Sequence, residues 1–269
     1  MNPSSWRLIV DGPTDGAVNM ATDRAILEAC ETGKAPPTLR LYRWSQPTMT
    51  VGYFQKPERE LNLAKCRERG VPVAPRPTGG RGILHQDELT YSLVAPIPHS
   101  RFPDTLDKSF RIVSDALLFA LAELGIEGSL MTGKGERAEL RSPSCFASLS
   151  HGEIAVQGKK LIGSAQRRLR HAFLQQGSLP ITCDHEFINS LFLFDRPEAA
   201  MANLEILKTR TTTVSELLDA PPAPDRIAQA LESGFQRLFG ASASAGTLSL
   251  YEQGLRDSIL ASENFACTP

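Results

Sequence analysis

The chain has 269 residues, 41% of them hydrophobic and 22% charged, and a formal net charge of −1. This is ordinary globular composition with enough length for a sizeable core, and it excludes the global basic field that nucleic-acid binding usually needs. The cysteine count is odd, at five. With wide spacing and no C-x-x-C pair, that argues against a disulfide framework or a zinc site and for a reducing compartment. The N-terminus shows no basic segment followed by a long apolar run. No apolar stretch approaches the roughly 18 residues of a membrane helix. The expectation is a cytoplasmic protein acting without membrane, nucleic acid, metal or cofactor.

In chain order, residues 6–11 read as a strand and 19–32 as a helix. Met20, Ile26, Leu27 and Cys30 share the helix's apolar face, and Gly33 stops it. Residues 38–43 and 48–52 are strands split by a turn at Ser45-Gln46-Pro47. A charged surface helix is expected over 58–69, ended by Gly70, then a short strand over 71–75 and another over 89–95. Residues 105–124 give the clearest helix, with Leu106, Phe110, Val113, Leu117, Leu121 and Leu124 at steps of three and four and Gly125 as the stop. Residues 133–144 read as a loop. Strands follow over 154–157, 160–167 and 172–178, with a hairpin turn at Gly158-Lys159. Thr213 and Glu216 suggest a capping box, and helices are expected over 225–239 and about 248–262, with 221–224 and 241–245 as connectors. Interleaved helices and hairpins favour an α+β domain, a mixed or antiparallel sheet with flanking helices, over a doubly wound parallel sheet. No linker divides the chain, so residues 1–269 read as one domain.

Three segments can carry chemistry. In Arg76-Pro77-Thr78-Gly79-Gly80-Arg81-Gly82-Ile83-Leu84-His85, glycines free the backbone N–H groups to approach a ligand, and Arg76 and Arg81 can meet a phosphate or carboxylate. The same residues also suit a tight turn with solvated arginines. The run is neither a Walker A loop nor a dinucleotide fingerprint. In the second segment Lys160 opens a strand whose small residues, Gly163, Ser164 and Ala165, leave room for something to lie against the backbone. A neighbouring helix would use that room equally well. The third is Ser142-Pro143-Ser144-Cys145-Phe146, which places a cysteine in polar sequence. Cys30 falls on an apolar helix face, Cys66 in a charged helix, and Cys183 and Cys267 in polar sequence without a basic cluster. Cys145 is therefore the best nucleophile candidate.

Together these segments resemble the lipoate–protein ligase and octanoyltransferase family, which shares a catalytic fold with biotin–protein ligases. Residues 76–85 look like that family's R-R-x-x-G-G-G/R-x-x-x-H loop, and Lys160-Leu161-Ile162-Gly163-Ser164-Ala165 looks like its K-x-x-G-S-A strand. Asn19-Met20-Ala21-Thr22-Asp23 matches an N-M-A-x-D helix start, and Val51-Gly52-Tyr53-Phe54-Gln55 matches a V-G-x-x-Q segment. The four occur in the family's order, the family-like core covers about residues 30–240, and helices over 225–262 close the chain. One departure is visible: Pro75 and Pro77 flank Arg76, where many members carry two arginines. Cys145 stands fifteen residues before Lys160, and the chain ends soon after the catalytic region. Both features resemble the cysteine-dependent, Bacillus-type octanoyltransferase branch rather than the ATP-using ligases with their accessory domain.

The resemblance implies an octanoyl transfer from octanoyl-acyl carrier protein to a lysine of a glycine-cleavage H protein or a lipoyl domain, through a thioester on Cys145. It makes Cys145 and Lys160 catalytic. Arg76, Gly79, Gly80, Arg81, His85, Gly163, Ser164 and Ala165 would bind substrate. Lys160 would favour the thiolate, and N–H groups of the Gly79-Gly80 turn or of Gly163-Ser164-Ala165 would receive the oxyanion. His85 would act as base or orient the incoming lysine, or simply end the turn as a hydrogen-bonding residue. His151 ranks below Lys160 as partner to Cys145. Three readings compete: an amidotransferase taking its acyl group from H protein, an ATP-dependent lipoate ligase, and a non-enzymatic carrier-binding module with a dead site, against which the presence of both Cys145 and Lys160 argues. A basic face at Arg167, Arg168 and Arg170 would meet acidic carrier domains.

Overall fold

Side chains along a strand alternate between faces, and residues 38–44 show what this does. Leu39 and Leu41 join one apolar layer, while Arg40 and Tyr42 turn to the opposite face and bond Asp23. The sheet is thus buried on both sides. The structure, a computed structural model, describes residues 6–99, 102, 105–131, 153–240 and 243–262.

The first half comprises β1 (Arg7–Thr14), α1 (Gly16–Glu31), β2 (Thr38–Trp44), β3 (Thr48–Val51), α2 (Pro57–Glu60), α3 (Leu63–Glu68), β4 (Val73–Pro75), β5 (Ile83–His85) and β6 (Glu88–Pro96). Helix α4 (Leu106–Glu123), β7 (Ser129–Leu130), β8 (Ile154–Val156), β9 (Lys159–Arg168) and β10 (Ala172–Pro180) follow. The rest is α5 (His185–Ser190), α6 (Pro197–Arg210), α7 (Val214–Leu217), α8 (Pro224–Phe239), β11 (Ser244–Ala245) and α9 (Leu250–Leu260). The main sheet runs β11-β1-β2-β6-β10-β9-β8-β7, and a small sheet runs β4-β3-β5. Only the pairs β1–β11, β1–β2 and β3–β4 are parallel among the described residues, so the architecture is α+β with a mixed sheet, as expected.

Two helical layers cover the main sheet. Val113, Leu117 and Leu121 of α4 and Ile227, Leu231 and Phe235 of α8 pack on Leu41, Tyr91, Leu93 and Phe173. On the other face Ile26, Leu27 and Cys30 of α1 meet Ile9, Val94 and Leu174, with Leu255 of α9 against them. Arg7 of β1 pairs with Glu252, which also completes a capping box with Ser249 at the start of α9. The small sheet has its own core, in which Met49, Val51 and Leu84 meet Leu61, Cys66 and Phe192.

Several boundaries depart from the sequence expectation, each for a local reason. The segment 58–69 is two short helices. Leu61 leaves the helix to bridge Phe192, and the Asn62 side chain caps a new start by accepting from Lys65 N. Cys66 is consequently buried rather than set on a charged surface. The strands β2 and β3 lie in different sheets, and β5 pairs with β3. Helix α1 begins at Gly16, because Asp15 accepts from the N–H groups of Ala17 and Val18. Leu106 opens α4 exposed to solvent. The β8–β9 turn sits at Gln157-Gly158, whose φ angles of 50° and 80° suit a two-residue hairpin loop. Thr213 caps Glu216 N, but the Glu216 carboxylate accepts from Thr212. Part of the expected connector at 241–245 is β11. Helices α5 and α6 fall in the stretch after 178, where the sequence turns helical without marking their bounds. The loop at 133–144, Cys145, His151 and Cys267 lie outside the described residues.

Candidate active site

A cleft of about 460 Å³ opens between the main sheet and the small sheet with its glycine-rich turn. Its floor is a cross-strand row. Tyr42 on β2 registers with Thr90 on β6, Thr90 with Ser178 on β10, and Ser178 with Gly163 on β9. In the next row Gln176 registers with Ala165. All of these line the cleft, together with Met20, Arg76, Thr78, Ile83, His85, Lys160, Ser164 and Gly177. The hydroxyls of Thr90 and Ser178 are bonded to Glu88, so polar residues contribute little unsatisfied polarity to the floor.

The V-G-x-x-Q segment supports the turn. A Cβ on Gly52 would stand 2.0 Å from the carbonyl oxygen of Gly80, so only glycine lets the two backbones meet. Tyr53 N donates to Thr78 O at 3.0 Å, and Gly52 N donates to Gln55 Oε1 at 3.0 Å. Arg76 turns inward: Nη2 donates to Gly79 O and Arg81 O, each at 2.7 Å, and Nη1 to Thr50 O at 3.3 Å. It lines the cleft while holding the carbonyls of its own turn. Arg81 is not among the cleft's lining residues, and its buried Nη1 has no hydrogen-bond partner among the described residues.

The N-M-A-x-D segment reaches the same turn through a buried relay. Thr78 Oγ1 donates to Gln176 Oε1 at 2.9 Å, Gln176 Nε2 donates to Asp23 Oδ2, and Tyr42 OH donates to Asp23 Oδ2 at 2.8 Å. Arg40, 1% exposed, donates to Asp23 Oδ1 at 2.8 Å and to Asn19 Oδ1 at 2.7 Å. Asn19 in turn donates to the carbonyls of Thr14 and Arg43, tying α1 to the ends of β1 and β2. Burial, with the Asp23 charge, lifts the Tyr42 hydroxyl well above its ordinary value, so it stays a donor.

His85 is embedded on several sides. Nδ1 lies 2.8 Å from Glu88 Oε1, Nε2 lies 2.9 Å from Thr50 Oγ1, and Trp44 stacks on the ring at 4.1 Å between centroids. Burial pushes the Glu88 carboxyl up, but the facing His85 and hydrogen bonds from His85, Ser178 and Thr90 outweigh it and hold the group below the usual carboxylate value. With both ring nitrogens engaged, this geometry suits the hydrogen-bonding reading of His85 better than a free base facing the cleft.

Lys160 is 0% exposed, and its ammonium pairs with Glu153, 4% exposed. A cation removed from water at such a site needs a counter-charge, and the β8–β9 hairpin brings one from seven residues upstream. Its backbone is pinned as well: Thr212 N donates to Lys160 O at 2.9 Å. Downstream on β9, Ser164 Oγ lies 2.8 Å from Tyr91 OH, which also accepts from Gln175. Glu153, Glu88 and Gln176 are site-supporting residues that sequence reading missed, and Asp23 entered it only as a letter of the N-M-A-x-D motif. The buried lysine's need for a partner was the available signal for Glu153 alone.

The described cysteines are poor nucleophiles. Burial pushes the thiols of Cys30 and Cys183 up to about 12 and raises that of Cys66. Cys183 and His185 line a second cavity of about 530 Å³, which shares Ile83 with the cleft. Among the described residues no group of three or more His, Cys, Asp or Glu is placed to hold a metal ion. No described helix is long and apolar enough to cross a membrane. The expected basic face divides. Arg167 covers the Tyr53 ring at 4.0 Å and donates to Pro77 O, whereas Arg168 donates to Ser109 and Gln166. Successive strand residues point to opposite faces, so these two arginines do not form one patch.

A model of the lipoyl protein ligase A/B catalytic domain matches residues 15–236. The octanoyltransferase LipM of Kyrpidia tusciae is 35% identical over 261 residues, covering 96% of this chain and 95% of the relative. That of Geobacillus kaustophilus is 36% identical over 86% of this chain and 85% of its own. Among solved structures, a bipartite lipoate protein ligase from Thermoplasma acidophilum superposes with a TM-score of 0.80 at 21% identity over 98% of each chain. A lipoate-protein ligase A bound with ATP gives 0.78 at 22% identity over 98% of this chain and all of that one. At such identities the structural matches speak for the fold.

Proposed function

Because the chain belongs to the lipoyl protein ligase A/B catalytic-domain family, we propose that it is a protein N-octanoyltransferase working through a thioester on Cys145. The donor is octanoyl-acyl carrier protein, the acceptor a lysine of H protein or of a lipoyl domain, and the place of action the cytoplasm. The curated relatives bear the name octanoyltransferase. The observation that carries the chemistry is the fully buried Lys160, paired with Glu153 at the wall of a slot whose floor includes Gly163 and Ala165.

The reaction has two steps. The Cys145 thiolate attacks the donor thioester, the bond from the acyl carbon to the pantetheine sulfur breaks, and the released thiolate takes up a proton. The ε-amine of the acceptor lysine then attacks the new thioester. An amide forms, the bond to Cys145 breaks, and a proton from the amine returns to the sulfur. Exchange of one thioester for another is near balanced and conversion to an amide runs downhill, so no nucleotide is consumed. A free cysteine has a pKa near 8.5, and the ammonium of Lys160 favours the thiolate. Lys160, with backbone N–H groups of the Gly79-Gly80 turn or of the Gly163-Ser164-Ala165 run, receives the charge that develops on the acyl oxygen. Arg76 and His85 line the wall, and Arg76 holds the Gly79-Gly80-Arg81 turn beside it through the carbonyls of Gly79 and Arg81. The high thiols of Cys30, Cys66 and Cys183 support Cys145 as the nucleophile by leaving them protonated near neutral pH.

The test is intact mass spectrometry of the purified chain mixed with octanoyl-acyl carrier protein and no ATP. An octanoyl adduct should appear on wild type, be absent from Cys145→Ala, and discharge when H protein or a lipoyl domain is added. Strict dependence on ATP and free lipoate would instead establish a ligase.

A further inference from the structure

We propose that Met20 is the end wall of the acyl cleft and sets the longest chain the enzyme accepts. This rests on the transferase reading above and adds a specificity determinant to it. The registered row Tyr42–Thr90–Ser178–Gly163 crosses the sheet from β2 to β9, so the cleft runs perpendicular to the strands. Lys160 and Gly163, where the acyl carbonyl would lie, stand at the β9 end. Met20 stands toward the other end: it packs in one cluster with Tyr42 and Trp44 of β2, and its sulfur accepts from Gln176 Nε2 at 3.8 Å.

Strands lie about 4.8 Å apart, so two to three spacings give a slot of about 10–14 Å. An extended chain advances about 1.2 Å per bond, so the seven carbon–carbon bonds of an octanoyl group need about 8–9 Å. Four further methylenes would add about 5 Å and drive the terminal methyl into Met20.

The wall cannot retreat. Met20 is 2% exposed and belongs to one buried cluster with Ala21, Ala25, Tyr42, Trp44, Ala74 and Ile259. The residues beside it are locked too, since Tyr42 and Gln176 both end on Asp23. Helix α1, which carries Met20, is pinned through Asn19 to the ends of β1 and β2. The Met20 side chain itself is unbranched and readily reshaped by substitution.

The experiment measures acyl-enzyme formation by intact mass, using the full chain and carrier proteins charged with hexanoyl, octanoyl, decanoyl or dodecanoyl groups. In Met20→Ala the optimum should move to decanoyl or dodecanoyl. In Met20→Phe it should move to hexanoyl. One methylene in an apolar pocket is worth roughly tenfold or more in discrimination, so the shift reads as at least a tenfold change in the dodecanoyl-to-octanoyl ratio. The same free fatty acids are tested by thermal shift, which needs no chemistry. If wild type charges with octanoyl but both variants keep its length profile, the proposal is overturned while the transferase reading stands. If wild type takes no acyl group, the transferase reading falls, and the fatty-acid profile of wild type against Met20→Phe then decides for or against the wall.

Discussion

The ammonium of Lys160 ends on the carboxylate of Glu153, with side-chain exposures of 0% and 4%. Removing one member leaves the other's charge buried in a site built for both, which typically costs about 3–5 kcal/mol. Urea unfolding should therefore show Glu153→Leu and Lys160→Met each strongly destabilised, and the double variant closer to wild type than the sum of the singles. Strict additivity in that cycle would mean that the two side chains are not coupled.

Cysteine reactivity supplies a second prediction. Near neutral pH an alkylating reagent should modify Cys145 ahead of Cys30 and Cys183, whose thiols burial lifts to about 12, and ahead of Cys66, raised for the same reason. Peptide mapping at several pH values gives each rate. In Lys160→Ala the Cys145 profile should move upward toward about 8.5. Superimposed profiles would remove Lys160 from thiol activation and leave it the acyl oxygen.

The Glu88 network sets an acid limit on stability. Burial opposes its ionisation, but His85 and the donors around it hold the folded carboxyl below the ordinary value of 4.5. A depressed folded value means the unfolded chain binds protons more tightly. The stabilisation is therefore present above about 4.5 and lost as pH falls through the folded value. Chemical denaturation between pH 3 and 7 should show a shallower acid decline in Glu88→Gln than in wild type. Equal slopes would assign the decline to other carboxylates.

Gly52, which follows β3, and Gly79, in the β4–β5 turn, should respond differently to alanine. At Gly52 the new methyl would stand 2.0 Å from Gly80 O, while at Gly79 it would meet nothing within 4 Å. Overpacking costs about 1–3 kcal/mol or more when backbone must move. Gly52→Ala should lose stability and acyl-enzyme formation together, whereas Gly79→Ala should keep its melting temperature. Equal melting temperatures would show that the turn does not rest on Gly52.

What the sequence determined by itself is what local periodicity and ordered motifs encode. The strands expected over 38–43, 160–167 and 172–178 between turn signals correspond to β2, β9 and β10, and the three-and-four spacing from Val113 to Leu121 corresponds to α4. The four motifs identified the family, because their order along the chain is specific even where each alone is not. The break at Leu61 was hidden, since it depends on a bridge to Phe192, and no pattern within 58–69 reports a partner so far along the chain. The site's supporting charges were hidden in the same way. Arg76 read as a free anion binder because its acceptors are backbone carbonyls of Gly79, Arg81 and Thr50, which every residue possesses. Asp23 read as a motif letter, and only the fold brings it Arg40, Tyr42 and Gln176. Burial decides such roles. It makes an unpaired charge or donor costly, so the tertiary structure assigns each buried polar group its partner, and those assignments lie 17 to 153 residues apart in the chain for Asp23 alone.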